Sequence, residues 1–348
     1  MGILDWMGFG RLPETYSASA TASRGVTSPW AGPSHLARVV VDDIFGVETQ
    51  AVTRAEAMSV PAVAKARNLV CTTLARQPLR AFRDGVPVAD QPTWLYRTDT
   101  SIPPRLRTMW VLDDLFFYGW SLLEVNRGAD GQILDAARII PSRWKFGPAG
   151  EILVDDHGVP QDEVLLIPGP FEGVLNAGGR TIRAARKLEE QWAARVRNPV
   201  PVTEIRYTGE EDLDEDEMRD IRSSYIAARN DPDGTVMVTP KGFEVHPHGD
   251  AALNLFVEGR NAVAVDVARL TNVPAAMLDA ANVNASSVNY TNEALGRAQF
   301  IDLCLRFWSL SLEDRLSMDD VTPRGTTIAF DLSELTIPDT GRGPTLED

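Results

Sequence analysis

Two histidines and an aspartate lie close together in the segment FEVHPHGD, which ends at Asp250. His246 and His248 are two positions apart, so on a strand both imidazoles would face the same side. Two imidazoles and a carboxylate can bind a divalent metal, and such a site would suit a metal-dependent phosphodiesterase. No second ligand cluster is readable, because His35 and His157 lie in other parts of the chain. We therefore favour solvated histidines over a metal site.

An acidic run, GEEDLDEDEMRD, begins at Gly209 and offers many carboxylates. It lacks the central glycine and alternating oxygen ligands of a calcium-binding EF-hand loop. It is more typical of a helix start, where acids meet the positive end of the helix dipole. The segment GGRT at Gly178 lacks the spacing and the lysine of a phosphate-binding loop. With no nucleophile motif readable either, the sequence predicts no enzyme, no cofactor and no metal.

The first half of the chain predicts an arm followed by a folded domain. Residues 1–54 are mostly rich in Ser, Ala, Thr, Gly and Pro, and cannot bury enough apolar surface to fold alone. Residues 55–177 are predicted to form one α+β domain with a hairpin that turns at Asp84-Gly85. Its first helix has Ser59 as N-cap. Two helices are indicated by apolar spacing, with inward side chains Val63, Ala66, Val70 and Leu74 in the first and Leu106, Met109, Leu112 and Phe116 in the second.

The second half alternates between helices and a compact insert. The predicted segments are a helix over 178–197, a small α/β unit over 198–249, a returning helix over 250–274, a polar segment over 275–292, a long helix over 293–318, and a tail with one strand over 319–348. The polar segment is poor in large aliphatic side chains and rich in Asn, Ser and Ala. The long helix has a broad apolar surface, which indicates burial on more than one side.

The charge balance excludes one class of function. The chain has 49 acidic and 34 basic residues, a formal net charge of −15 and a pI near 4.8. Tight binding of duplex DNA comes largely from Lys and Arg, so it is not the expected main task, although DNA could slide past such a protein. Cys71 and Cys304 are predicted to be small buried side chains. With no secretory signal or membrane-spanning run readable, we expect a soluble intracellular protein.

Four segments in order are similar to sequence blocks of the portal proteins of tailed double-stranded DNA bacteriophages, siphophage type. The first two blocks are SVPAVAKARNLVCTTLARQPLRAF and YGWSLLEVNRGADGQILDAARIIPSRWKF. The last two are NDPDGTVMVTPKGFEVHPHG and VEGRNAVAVDVARLTNVPAAML, the latter marked by Val273-Pro274. The resemblance covers about residues 55–318, and the initial MGILDWMGFGR is also similar to the family.

The resemblance implies the portal fold and its parts. Residues 55–177 would form an α/β wing together with the end of the chain, and the helices 178–197 and 250–274 would form the stem. Residues 198–249 would form the clip, 275–292 the tunnel loop and 293–318 the long wing helix. Family members often continue into a helical crown, and the polar tail leads us to expect a reduced crown or none. The segment GVLNAGGRT also departs from the family's usual turn between wing and stem.

The resemblance also implies a function. Family members form a ring, usually of twelve subunits, at one capsid vertex, through which double-stranded DNA is packaged and ejected. The implied partners are the major capsid protein, the large terminase subunit and a head-tail adaptor. The implied location is the virion, with host cytoplasm during assembly and no membrane contact. Another phage head structural or adaptor protein remains an alternative, as does the phosphodiesterase.

The candidate site residues follow from these implied parts. Small uncharged polar side chains in a tunnel loop would exchange hydrogen bonds with phosphate and water without attracting DNA strongly. The candidates for contact with DNA are Asn282, Asn284, Ser286, Ser287, Asn289, Tyr290 and Asn292. Clip docking is assigned to Glu210, Glu211 and Asp212. Packing between subunits is assigned to Leu303, Phe307 and Leu310.

Overall fold

The structure is a computed structural model, and it describes residues 52–98, 100–148, 150–197, 202–209, 213–229, 241–248, 257–278 and 296–336. These residues form helices and small antiparallel sheets, so the α+β prediction is confirmed. Most of the buried apolar side chains belong to one core, which holds residues from the first described helix to the last described strand. None of the helices in these ranges has the length and apolar character needed to cross a membrane.

The described chain begins with three helical pieces, α1 (Arg54–Met58), α2 (Pro61–Arg67) and α3 (Thr73–Arg76), with a π-helical turn at Asn68–Thr72 between α2 and α3. The predicted N-cap at Ser59 is wrong. Ser59 ends α1 by donating its N–H to Ala55, and Val60 precedes α2 without a side-chain cap. The side-chain cap lies one helix earlier, where Thr53 forms a capping box with Glu56. The predicted inward side chains are all fully buried: Val63, Ala66, Val70 and Leu74.

The first sheet joins the beginning of the described chain to its end. Its strands are β1 (Leu79–Arg83), β2 (Val86–Pro87) and β11 (Thr327–Phe330), with β1 in the centre. Asp84 and Gly85 have positive φ angles of 52° and 77°, which confirms the predicted hairpin. The strand predicted in the tail is also confirmed, because β11 pairs antiparallel with β1.

Two further sheets follow the short helix α4 (Thr93–Tyr96) and the longer α5 (Pro104–Tyr118). One sheet contains β3 (Trp120–Arg127), β4 (Ile133–Ile139) and β8 (Val164–Pro168), and the other contains β5 (Trp144–Phe146), β6 (Ile152–Val154) and β7 (His157–Gly158). Of the side chains predicted to face inward from α5, Leu112 and Phe116 are fully buried, while Leu106 and Met109 are half-buried. Gly119 ends α5 in the left-handed region with a φ of 74°.

Two adjacent aspartates on α5 are buried in ion pairs. Asp113 accepts hydrogen bonds from Arg54 at 2.8 Å and from Arg67 at 2.5 Å. Asp114 accepts two from Arg138, at 2.5 and 2.6 Å. These pairs connect α5 to α1, α2 and β4, which fixes the helix in the core.

The next segment is a helix followed by a small unit. After α6 (Val174–Ala177), α7 (Gly179–Arg197) forms where the sequence predicted a helix over 178–197. The small unit contains the antiparallel ribbon β9 (Val202–Tyr207) and β10 (Phe243–His248), with α8 (Glu215–Arg229) between them in the chain. The segment TVMVTP, part of the third family-like block, lies outside the described residues.

The returning helix, α9 (Val257–Thr271), packs antiparallel to α7. Leu188 of α7 contacts Gly259, and Arg260 lies between the Glu189 carboxylate at 3.0 Å and the Trp192 ring at 5.0 Å. The helix ends three residues before the predicted boundary at 274, because Asn272 adopts a left-handed φ of 56° ahead of Pro274. A 3₁₀ turn at Ala275–Leu278 follows.

The long helix packs one face against the core. It is α-helical over 296–299, π-helical at Phe300–Leu305 and α-helical again in α10 (Arg306–Leu316), and a short helix α11 (Ser333–Thr336) comes after β11. Its buried apolar side chains are Phe300, Ile301, Cys304, Leu305, Trp308, Leu312 and Leu316. The Trp308 indole donates a hydrogen bond of 2.9 Å to the Thr271 carbonyl, which ties the long helix to the end of α9.

Candidate functional site

The histidine pair does not form a described metal site. His246 is exposed, and its Nε2 lies 3.1 Å from the Glu244 carboxylate on the same strand. The side chain of His248 and the whole of Asp250 lie outside what the structure describes. Within the described ranges, no group of three or more His, Cys, Asp or Glu side chains could hold a metal ion.

The acidic run is confirmed as a helix start where the structure describes it. Asp214 accepts a 2.8 Å hydrogen bond from the backbone N–H of Glu217, and Glu217 accepts one of 3.1 Å from the backbone N–H of Asp214. This reciprocal pair precedes an acidic first turn of α8. This capping box was not predicted from the sequence, although Asp214 and Glu217 have the three-residue spacing that is typical of one. The docking candidates Glu210, Glu211 and Asp212 lie outside the described residues.

The part of the polar segment proposed to contact DNA, residues 282–292, lies outside the described residues. This applies to all seven candidates: Asn282, Asn284, Ser286, Ser287, Asn289, Tyr290 and Asn292. The described chain reaches it from Leu278, which is buried, and resumes at Gly296. Both flanking positions belong to elements connected to the same core, since Leu278 lies in it and the long helix packs on it.

The three candidates for packing between subunits differ in exposure. Leu303 is 65% exposed and Leu310 is 57% exposed. They are seven positions apart on the long helix, so they lie on one face, away from the buried face. Phe307 lies at the edge of the core, with its ring 6.3 Å from Phe171 and 5.5 Å from Trp308. The long helix was expected to be buried on more than one side. Within a single subunit, it is buried on one side only.

Both cysteines are buried, as predicted, and neither is poised as a nucleophile. Burial raises the pKa of the Cys71 thiol far above its ordinary value, and it raises the pKa of Cys304 to about 12. Thiols with such high pKa values form little of the reactive thiolate near neutral pH. Their position inside the core is thus a packing role.

The comparison with protein families decides the identity of the fold. The sequence model of the family described as phage portal protein matches residues 61–342. The chain belongs to the phage portal protein family. This confirms the resemblance inferred from the four sequence blocks, and it assigns the portal function to the chain in preference to the phosphodiesterase.

Solved structures are similar to this portal family member over most of its length. A crystal structure of an HK97-family phage portal protein from Corynebacterium diphtheriae has 31% identity and a TM-score of 0.66, covering 82% of this chain and 97% of that chain. A chain in the neck of a native GTA particle, computed with C12 symmetry, has 15% identity and a TM-score of 0.59, covering 84% and 85%. A chain in the neck of an empty GTA particle, computed with C6 symmetry, has 16% identity and a TM-score of 0.58, covering 85% and 89%. The two GTA similarities show the fold alone, and no curated protein sequence matches significantly.

Proposed function

We propose that the chain assembles into a closed ring of twelve subunits at one vertex of a phage capsid and conducts double-stranded DNA during packaging and ejection. The observation that carries the proposal is the portal family match over residues 61–342, together with 31% identity to a solved portal protein. The ring forms in the host cytoplasm and ends in the virion, where it contacts the major capsid protein. In this scheme the wing, stem, clip and tunnel loop have the boundaries given by the sequence analysis.

The exposed apolar stripe of the long helix supports assembly. Leu303 and Leu310 leave more than half of their side chains in water in a single subunit. A neighbouring copy that covered them would recover part of the about 1.5–3 kcal/mol that full burial of a leucine side chain contributes. A closed ring uses two different faces of the same subunit, and this stripe supplies one of them.

The acidic composition supports a conduit over a tight DNA binder. Twelve copies with a net charge of −15 carry a formal charge of about −180 before counter-ions. Like charges repel a polyanion over about one Debye length, roughly 8 Å at physiological salt, which keeps it off the walls. The uncharged side chains at residues 282–292 would then form the closest approach to DNA without binding it strongly.

The clip is proposed to dock the large terminase subunit and later the head-tail adaptor. Its acidic start continues into the described first turn of α8, where Glu215, Asp216 and Glu217 are exposed. Reversal of charge at Glu210, Glu211 and Asp212 should weaken capture of either partner in a pull-down, and unchanged capture would reject this assignment. The role is structural and not catalytic, so His246→Ala with His248→Ala should still give normal DNA-filled heads.

Negative-stain electron microscopy of the purified protein tests the ring. We expect isolated rings with a central hole, because the proposal requires closure around a channel. Leu310→Glu should reduce the yield of rings, whereas Leu134→Glu, at a side chain of matched exposure on β4, should not. Compact particles without a hole in the wild type would contradict the proposal.

A further inference from the structure

The helix α7 carries an exposed stripe with two cations, and the exposed Glu190 lies beside it. Its packed side is formed by Ile182 and Ala185, which are buried, and by Leu188, which lies against α9. The exposed residues that repeat at spacings of four and three on the other side are Arg180, Ala184, Lys187, Gln191 and Ala194. Neither cation of this stripe has an ion-pair partner within the described ranges.

The helix α9 carries an exposed stripe with two acids, Glu258 and Asp266, and one cation, Arg269. Its exposed residues Glu258, Ala262, Asp266 and Arg269 follow one another at spacings of four, four and three. Arg269 pairs with Asp266 at 3.0 Å, but the two side chains are 75% and 52% exposed, so this pair contributes little and can exchange. Glu258 has no ion-pair partner among the residues that the structure describes.

The register of the helix pair sets the two stripes at matching heights. Gly178 lies against Leu270, Leu188 lies against Gly259, and Glu189 accepts a 3.0 Å hydrogen bond from Arg260. In this register, Lys187 and Glu258 are offset by about three residues along the axis of the helix pair. Arg180 lies about two residues from the height of Asp266. At 1.5 Å per residue these offsets are about 3–5 Å, within the reach of the long side chains.

In a cyclic ring, equivalent residues of all subunits lie at the same position along the symmetry axis. When the symmetry axis runs roughly along the stem helices, a residue of one subunit can face only residues at its own height in the next subunit. The two stripes lie on different helices and carry opposite charge, which is the arrangement that a head-to-tail closed interface requires. The small side chains of Ala184 and Ala262 lie between the charges and permit close approach of the two helices.

We infer that the basic stripe of α7 packs against the acidic stripe of α9 in the adjacent copy of this chain. Lys187 pairs with the partner subunit's Glu258, and Arg180 pairs with the partner subunit's Asp266. The inference rests on the proposed ring and specifies which stem faces form its interface. An acidic stripe would repel DNA phosphate, so a second copy of the chain is the occupant that the charges favour.

A charge-swap series tests the interface. The wild type, Lys187→Glu, Glu258→Lys and the double swap are compared by native mass spectrometry, with Arg105→Glu, an exposed charge on α5, as the matched control. Each single swap places like charges opposite each other and should raise the concentration for half-assembly by about tenfold at low salt. The double swap should return the concentration for half-assembly to within about threefold of the wild-type value. Added salt should reduce the effect of each single swap on this concentration. Single swaps that assemble like the wild type, or a double swap without rescue, would overturn the inference.

Carbodiimide cross-linking gives an independent readout, because it joins an amine to a carboxylate that is in contact with it. The wild type should yield a ladder of covalent oligomers, and Lys187→Gln should weaken this ladder. Wild-type rings in the microscope without a ladder overturn this interface and leave the proposed function standing, whereas a wild type that forms no rings overturns both. A Lys187→Glu variant that assembles normally but retains less DNA would show that the stripe contacts DNA, which also overturns the inference.

Discussion

At the scale of single residues, Asp113 and Asp114 show that charged side chains can connect core elements through buried ion pairs. The sequence predicted the buried aliphatic side chains of α2 correctly, because apolar residues at helical spacing have one interpretation. The two aspartates gave no such signal, since carboxylates on a helix usually face solvent. Their arginine partners Arg54, Arg67 and Arg138 lie far away in sequence, so only the folded chain reveals the pairs.

A pH dependence follows from Asp114. Burial raises its pKa from the ordinary 3.8 to about 6, against the lowering effect of the Arg138 guanidinium. A carboxyl with a higher pKa in the folded state stabilises the fold below its unfolded pKa, and this contribution is lost as pH rises towards 6. We expect the unfolding free energy of the wild type, relative to Asp114→Asn, to fall by about 2 kcal/mol between pH 4.5 and 7 in urea titrations. A relative stability that rises with pH would contradict this, and Asp90→Asn, at an exposed aspartate, is the matched control.

At the scale of elements, the sequence located helices and strands well and their ends less well. Glycine in the left-handed region ends α5 at Gly119, whereas the returning helix ends at Thr271, three residues before the predicted boundary at Pro274. The boundary near Ser59 was wrong because two helices meet there, and the serine ends one instead of starting the other. The π-helical turns in the first and long helices were not predicted, since periodicity over short windows does not distinguish them from α-helix.

A pair of glycine substitutions tests the turn between α5 and β3. An added Cβ at Gly119 would lie 2.6 Å from the Phe171 carbonyl oxygen, whereas Gly85 has a similar φ of 77° and open space within 4 Å. Gly85→Ala should therefore cost only the left-handed strain, about 1 kcal/mol. Gly119→Ala should cost about 3 kcal/mol or more in thermal or chemical unfolding, because backbone must also move. Equal costs for the two variants would refute this role of Gly119.

At the scale of the whole molecule, four sequence blocks in the family's order were sufficient for the resemblance to the portal family. The family match and the 31% identical structure confirm that identification. The assignments of residues 282–292 and 210–212 remain predictions, because these segments lie outside the described residues. The pairing of the charged faces of α7 and α9 was not predicted, since it depends on the register between two helices that are distant in sequence.

Shortening of residues 282–289 tests the proposed tunnel loop in assembly. Because the subunit contacts proposed above lie on the long helix and the stem, rings should form with unchanged yield. Packaging or genome retention should be impaired, measured as the yield of DNA-filled heads. A replacement of equal length by Gly and Ser, which keeps small uncharged side chains, should retain packaging. Filled heads at wild-type yield from the shortened variant would count against the loop.

The most direct measurement is the distance of residues 282–292 from the symmetry axis in a cryo-electron reconstruction of the purified protein. The account predicts a closed ring in which these residues form the narrowest part of the channel and each α7 packs against α9 of the next subunit. A ring that carries these residues on its outer circumference, or an assembly with no axial channel, would contradict it.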